Sequence, residues 1–424
     1  MNESMYTTGP AKQAFAPPAF TVPEHFTLDN GVPVYSVLSD QTETLKIEWV
    51  FDAGSVAAQK IMQASATAEL LNKGTRTRTG FELNEELDLY GSYFSADSGR
   101  DEITLRLFTL KRFLPQVLPV VAEMLEGAVF PEEEFDVWLD ARRSAFSVNS
   151  QKTDYMASAR FPSVLFGEDT PYGAYVKPGH FDLLTVEDAR IHHRRLLSSP
   201  YKIFVSGCVP ADWRMLLNDL FGHLKPEYRP AALPFDEKAD TPAESFIPVA
   251  DSVQHSLIVG RRLWVRDVEA YTAFMVMNTA LGGYFGSRLM ANLREKHGFT
   301  YGVGSGLSRM LFADTYKISA EVGAEVSKAA LKEIFHEISV LQNDPVSGEE
   351  LQRVKTYMTG SFLRSFDGPQ SIMDRYKSLV AYGLPMDFFE RYAQGVPGVT
   401  AEAVRDCAQQ YLTELKTVVA GSES

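Results

Sequence analysis

Apolar and polar positions follow one order of periods through the first half of the chain. Phe26–Ser39 reads as two short strands around the turn Asp29-Asn30-Gly31, and Leu45–Phe51 alternates as a third. Ile61–Leu71 has the helical period and closes at Asn72-Lys73-Gly74-Thr75. Phe81–Leu89 is a second helix stopped by Gly91. Ser92–Ala96 and Glu102–Leu110 alternate as a hairpin, and Phe113–Glu126 is a long amphipathic helix. Pro131-Glu132-Glu133-Glu134 opens another, since proline and acids suit a helix start. Thr185 leads a helix that runs through Leu197, and Tyr201–Cys208 is a buried strand.

Between Pro226 and Phe246, four prolines and several charges mark an interdomain linker. The order then restarts. Gln254–Val259 is a strand, and Ala270–Leu281 and Leu289–Lys296 are helices. Phe299–Ser305 and Asp314–Val322 form a hairpin. Ser327–Leu341 is a long amphipathic helix, Ser347-Gly348-Glu349-Glu350 opens another, and Thr400–Leu412 is the last helix. Gly91-Ser92-Tyr93-Phe94 aligns with Gly298-Phe299-Thr300-Tyr301, and Pro131–Glu134 aligns with Ser347–Glu350. The expected fold class is therefore α+β in two homologous halves. Each half is a mainly antiparallel sheet with helices packed on one face, forming half of a clamshell. The expected divisions are an extended Pro-rich arm 1–22, a first domain 23–228, a linker 229–245 and a second domain 246–424.

Composition changes this picture little. The chain has 424 residues, 45% hydrophobic and 23% charged, as in ordinary folded domains. A net charge of −14 without a long basic run argues against nucleic acid or an anionic membrane as partner. Cys208 and Cys407 are too few for a disulfide framework and read as buried side chains. The start has neither a basic n-region nor an apolar h-region, so the expected location is the cytoplasm, or the periplasm if the native start differs.

The stretch Leu289–Gly304 holds the candidate chemistry. Leu289 and Leu293 lie on one helical face, Gly298 breaks the helix, and Phe299, Tyr301 and Val303 alternate. This places the Arg294 guanidinium and the Tyr301 phenol where they can converge. The plain alternative is a solvated Arg294 and a core Tyr301. The 8 histidines include no pair with metal-ligand spacing. His192 and His193 are adjacent, and Glu333, His336 and Glu337 read as an exposed salt-bridge cluster. There is no Gly-x-Ser-x-Gly, and Gly282-Gly283-Tyr284-Phe285-Gly286 lacks the lysine of a phosphate loop.

Three segments together resemble the pitrilysin/insulinase-type zinc peptidases, a family that includes the mitochondrial processing peptidases and the core subunits of the bc1 complex. They are Gly74-Thr75 after the Ala/Leu helix, Leu281-Gly282-Gly283 through Ser287-Arg288-Leu289, and Leu293-Arg294-Glu295-Lys296 through Gly298 to Tyr301. The resemblance spans about Pro23 to Leu412 and implies the same duplicated clamshell. Active members carry His-x-x-Glu-His on the first helix, with two imidazoles on zinc and the glutamate as base. Counted back from Gly74-Thr75, the histidine positions fall on Ser65 and Glu69 and the base on Ala68. The third ligand is expected after Phe135, yet no Glu occurs between Glu134 and Glu168. The resemblance thus implies a non-catalytic member with no metal or cofactor of its own, inactive in peptide hydrolysis by itself.

In the same family, an Arg and a Tyr seven positions apart bind the substrate carbonyl at the zinc site of another half or subunit. Arg294 and Tyr301 match that spacing. Gly282 and Gly283 correspond either to a flexible peptide-presenting loop or to a packed turn. The expectation is a non-catalytic subunit of a heterodimeric zinc peptidase. It would bind peptide by strand addition and lend Arg294 and Tyr301 to a homologous zinc-bearing partner. The alternative is a scaffold or assembly protein of the same fold with no part in hydrolysis.

Overall fold

Residues 20–228 and 241–423 are described by the structure, a computed structural model. The first half contributes strands β1 (Glu24–Thr27), β2 (Pro33–Leu38), β3 (Thr44–Phe51), β4 (Tyr93–Ser98), β5 (Ile103–Leu110) and β6 (Tyr201–Gly207). They form a six-stranded sheet in the order β1-β2-β6-β3-β5-β4. The second half contributes β7 (Glu244–Pro248), β8 (Gln254–Leu263), β9 (Val303–Arg309), β10 (Asp314–Gly323) and β11 (Lys416–Gly421), ordered β7-β11-β8-β10-β9. Without β1, the two orders are the same, and in each sheet the chain's last strand pairs in parallel with the first. The duplicated α+β fold expected from the sequence is present.

The helices repeat in the same way. The first half holds α1 (Gln63–Glu69), α2 (Gly80–Leu89), α3 (Leu114–Gly127), α4 (Glu132–Asn149), α5 (Thr153–Phe166), α6 (His180–Leu183), α7 (Val186–Ser198) and α8 (Trp213–Phe221). The second holds α9 (Val268–Asn278), α10 (Ser327–Asn343), α11 (Gly348–Arg364), α12 (Gly368–Tyr382), α13 (Phe388–Gly395) and α14 (Ala401–Tyr411), with π-helical turns at Thr279–Gly283 and Met290–Lys296. Gly91 and Gly298, at φ 56° and 64°, end equivalent helices in the left-handed conformation that glycine adopts without steric cost.

Each sheet has two apolar faces. In β3, Leu45, Ile47, Trp49 and Phe51 face the helices of their own half. The opposite face of each sheet takes one helix from the other half. Phe161, Val164 and Leu165 of α5 pack with Ile247, Ile258 and Val418 of the second sheet. Met373 of α12 packs with Val37, Val50 and Phe204 of the first. Strand periodicity shows that a face is apolar but not which helix covers it, so this exchange across the halves was not legible in the sequence.

The charged groups Lys46 and Glu48 on the exchanged face are paired. Glu48 on β3 is 1% exposed, accepts from Arg106 Nε at 3.0 Å and Lys377 Nζ at 2.8 Å, and pairs with Lys46 at 3.0 Å. Burial pushes the Glu48 carboxyl upward, but Lys377 and Lys46 outweigh it and hold the group below its ordinary range. Lys46 also reaches Asp374 of α12 at 2.6 Å. Across the β4–β5 and β9–β10 turns, Asp101 accepts from Leu311 N at 2.8 Å and from the Tyr172 hydroxyl.

Several details differ from the sequence reading. The strand after Gly298 begins at Val303, four residues later than expected. β11 was missed, as were α5, α8, α12 and α13, because each is short or has a blurred period. β7 begins at Glu244, inside the expected linker, of which 229–240 lie outside the described residues. So do residues 1–19 of the expected arm, whereas Phe20 stacks on Phe362 and Phe366 at 5.9 and 5.1 Å. Both cysteines are buried and free.

His192 and His193 on α7 are packing residues. Their Nε2 atoms meet the carbonyls of Ala53 at 2.8 Å and Leu125 at 2.6 Å. Burial lowers both, His192 to about 4, against about 6.5 in the unfolded chain. Between those values the unfolded chain binds the proton and the folded chain does not, so stability falls as the pH drops through that window. We expect His192 to account for up to about 3 kcal/mol of that loss. Urea unfolding of wild type and His192→Gln at pH 7.5 and 4.5 checks this, the variant showing the smaller difference between the two pH values.

Candidate functional site

α1 carries the positions where the metal motif would stand. Gln63 and Thr67 turn inward, donating to Asp188 O at 2.8 Å and Ala189 O at 3.0 Å, and so pin α1 to α7. Ala68 is 1% exposed in the first core. Ser65 and Glu69, one turn apart, share the half-buried opposite face. The Glu69 carboxylate accepts from Trp138 Nε1 at 2.9 Å and from an Arg142 Nη, both on α4. Trp138 and Arg142 are four residues apart and point the same way, and the guanidinium carbon stands 5.9 Å from the indole centroid. A pocket of about 220 Å³ opens beside the pair, walled by Ser65, Phe146, Tyr155 and Phe181.

These residues do not fit a zinc ion. The donors are one hydroxyl and one carboxylate, and the carboxylate is already neutralised by a fixed cation, whereas zinc takes about four N, O or S ligands. Among the described residues, no three His, Cys, Asp or Glu side chains gather into a metal-holding group. The helix after Phe135, where the resemblance places a third ligand, carries no Glu after Glu134. The sequence reading missed Trp138 and Arg142, whose i, i+4 spacing on that helix was the available signal.

The second candidate stretch runs from the π-turn Met290–Lys296 to β9. Leu289 and Leu293 are fully buried, as the helical spacing required. Thr300 Oγ1 accepts from Gly302 N at 3.1 Å and donates to Gly302 O at 2.8 Å. That closed turn delays the strand and lifts Tyr301 to its crest, 92% exposed. Tyr301 is therefore not a core residue. Arg294 is half-buried, with its guanidinium 4.8 Å from the ring centroid of Phe285. Among the described residues Arg294 has no carboxylate partner and no hydrogen bond joins it to Tyr301.

Tyr301 borders a groove of about 390 Å³ built by both halves. Asp154 and Ser158 of α5 stand on one side, and Ser256, Lys317 and Glu321 of β8 and β10 on the other. β9 is the free edge of its sheet, so one side of its backbone is open to pairing. Gly282 lies in the π-turn Thr279–Gly283 and is buried. A Cβ there would stand 2.6 Å from Ser305 Oγ. Gly282 is thus a close-packing position rather than a flexible presenting loop, and the exposed tip falls on Phe285 and Gly286. Arg288 fixes this region to α11 by two bonds to Glu350, at 2.7 and 2.9 Å. Glu333 and Glu337 both accept from the Asn292 side chain, at 3.0 and 2.6 Å. That bond, with His297 at 3.8 Å and Lys296 and His336 nearby, holds the Glu333 carboxyl below the usual range.

The α1–α4 pocket makes a prediction about metal uptake. Placing two imidazoles by Ser65→His and Glu69→His is expected to leave zinc binding weak while Arg142 stays. Adding Arg142→Glu exchanges the cation for a third ligand and is expected to tighten binding at least about tenfold, measured by calorimetric titration with zinc.

Residues 184–358 match the family model described as Peptidase M16 inactive domain. An uncharacterized zinc protease of Streptomyces coelicolor is 26% identical over 360 residues, covering 81% of this chain and 76% of that protein. One of Mycobacterium bovis is 24% identical over 421 residues, covering 95% of this chain and 94% of that protein. Among solved structures, a peptidase M16 inactive domain from Pseudomonas fluorescens superposes with a TM-score of 0.84 at 23% identity, over 95% of this chain and 98% of that one. A protease from Helicobacter pylori gives 0.82 at 17%, over 95% and 100%. At such identities the structural likeness establishes the fold alone. The family match begins at residue 184, just before α7 and beyond α1, so the missing metal ligands are read from Ser65, Ala68 and Glu69 themselves. Taken with the motifs in the second half, these findings make the chain similar over most of its length to the pitrilysin/insulinase-type (M16) peptidases, with residues 184–358 matching the family's inactive domain, while its first helix lacks the metal motif.

Proposed function

We propose that this peptidase-like, non-catalytic chain acts as the substrate-binding subunit of a heterodimeric zinc peptidase, with the metal on a homologous partner. The single observation that carries the reading is the state of Tyr301, whose phenol is 92% exposed beside a two-sided groove. A buried or hydrogen-bonded phenol would be a packing residue, whereas this one is free to meet something brought to the surface. Arg294 stands at the end of the π-turn that leads into the same loop, with no carboxylate to neutralise it.

The chemistry suits acyl transfer. Attack on a peptide carbonyl builds negative charge on its oxygen, and a guanidinium and a phenol placed in advance stabilise that charge as it forms. The substrate would be an extended peptide, pairing its backbone with the open edge of β9 while its side chains reach the groove.

The experiment mixes the chain with a zinc-bearing homologue and follows cleavage of a fluorogenic peptide. We expect Arg294→Ala and Tyr301→Phe each to lower kcat of the mixture by about 10²–10³ without dissociating the two subunits. An unchanged rate in both variants would leave the scaffold reading, which the position of Arg294 against Phe285 favours.

A further inference from the structure

The internal repeat exposes a seat that is filled in the first half and open in the second. In the first half, α8 follows β6 and packs beside α3, against β1, the β1–β2 turn and the Tyr201 end of β6. Its apolar stripe Trp213, Leu217 and Phe221, at i, i+4 and i+8, is buried at 4%, 0% and 0% exposure. Phe221 meets Trp49 at 5.1 Å and Trp213 meets Phe26 at 5.4 Å. Asn30 Nδ2 and the Tyr201 hydroxyl, both from the body, cap the Phe221 carbonyl, each at 2.9 Å.

The equivalents of β2, β6 and α3 are β7, β11 and α10. Among the described residues α5 covers the Ile247 and Val418 face of β7 and β11, and the segment after β11 supplies no counterpart of α8 on the other face, which carries Phe246 and Val419. A cleft of about 760 Å³ occupies the place instead. Its floor is Phe246 on β7, Val419 on β11 and Leu331 on α10. Phe246 is 47% exposed, and Phe335, four residues beyond Leu331, is 40% exposed, so an apolar stripe on the sheet and one on the helix are both without cover.

His255 gives a second, independent sign. It sits on β8 one position beyond the Ser256–Ala420 pair, where β3 has Leu45 opposite Gly207. It is 7% exposed and lines the cleft, and neither ring nitrogen has a hydrogen-bond partner. A buried imidazole left in this state costs free energy unless a further group satisfies it. By the repeat, His255 lies at the end of the seat that corresponds to the start of α8. An incoming helix has unpaired N–H groups there for an imidazole nitrogen to accept. The rim carries Glu244, Glu325 and Glu423 against Lys328.

We infer that this cleft docks an amphipathic helix supplied by a partner protein. The helix would present large apolar side chains at i, i+4 and i+8 to Phe246, Val419 and Leu331, with basic residues on its flanks facing the acidic rim. It would lie beside α10 over Phe246 and Val419, as α8 lies beside α3 in the first half. The partner is recognised through a surface on the helix-bearing side of the second sheet, opposite the side that holds α5 and the Tyr301 groove.

The test titrates the full chain into a labelled peptide of residues 210–224 carrying Asn218→Lys and Asp219→Lys, which keeps the apolar stripe of α8 and makes its flank basic. Anisotropy and circular dichroism are read together. We expect saturable binding with a gain in helicity, weakened about tenfold or more by Phe246→Asp and unaffected by Phe81→Asp, an exposed site on α2. Glu244→Lys with Glu325→Lys, both at the rim, should also weaken this probe about tenfold. The same variant should strengthen a probe of the same residues carrying Arg214→Glu and Asn218→Glu, a gain that misfolding cannot produce. Absence of saturation up to about 1 mM probe overturns the proposal. So does indifference to Phe246→Asp. A dimer by light scattering that Phe246→Asp dissociates also overturns it, because the occupant is then a second copy.

Discussion

Each of the two sheets has apolar residues on both faces, and neither half has helices enough to cover both. Its own helices take one face, and the other is closed by a helix from across the molecule, α5 on the second sheet and α12 on the first. This exchange buries apolar side chains of each half against the other and so holds the halves together. Uncovering either face would expose Val50 and Phe204 on one side, or Ile258 and Val418 on the other. The buried carboxylate Glu48 adds direction to that contact. Ion pairs of this kind add little net stability, but Lys377 matches Glu48 in only one placement of α12 on its sheet. The groove beside Tyr301 exists because α5 is held in this exchanged position, so the candidate site depends on the same constraint.

Within that frame the two candidate stretches differ in opposite ways. On α1 the polar face has been closed internally, with the Glu69 carboxylate held by Trp138 and Arg142. Any cation approaching Glu69 must displace a guanidinium that is tethered in place. On the second half, the residues that match the substrate-binding pair have been left outward. Tyr301 is raised on a hydrogen-bonded turn, and Arg294 rests on a ring without an opposing charge. Closure of one site and openness of the other is what the proposed substrate-binding role requires. A fold-preserving remnant would gain more stability from a buried Tyr301.

Much of this was legible in the order of residues. The repeat was readable because strand and helix periods are local, and because Gly91 and Gly298 end equivalent helices where only an unhindered residue fits well. Loss of the metal ligands was readable because ligation depends on residue type, and no packing turns Ser65 or Ala68 into an imidazole or a base. The strand β11 was not read, although it is central in its sheet, since Lys416–Gly421 is short and follows a helix closely. Tyr301 was placed in a strand because alternation extends through Phe299, Tyr301 and Val303. The Thr300 side chain, bonding its own backbone, overrode that pattern.

By itself, then, the sequence determined the duplicated α+β architecture, the helix ends, the buried cysteines and the loss of the paired histidines at Ser65 and Glu69. All of these follow from short-range periodicity or from the identity of single side chains. Tertiary structure alone decided the rest. It set α5 and α12 across the halves, brought Arg142 to Glu69 from 73 residues away, exposed Tyr301, packed Gly282 against Ser305 and left the seat over β7 and β11 open. Each of these is a meeting, or a missed meeting, of surfaces far apart along the chain. Such meetings are settled by how all the apolar faces are covered at once.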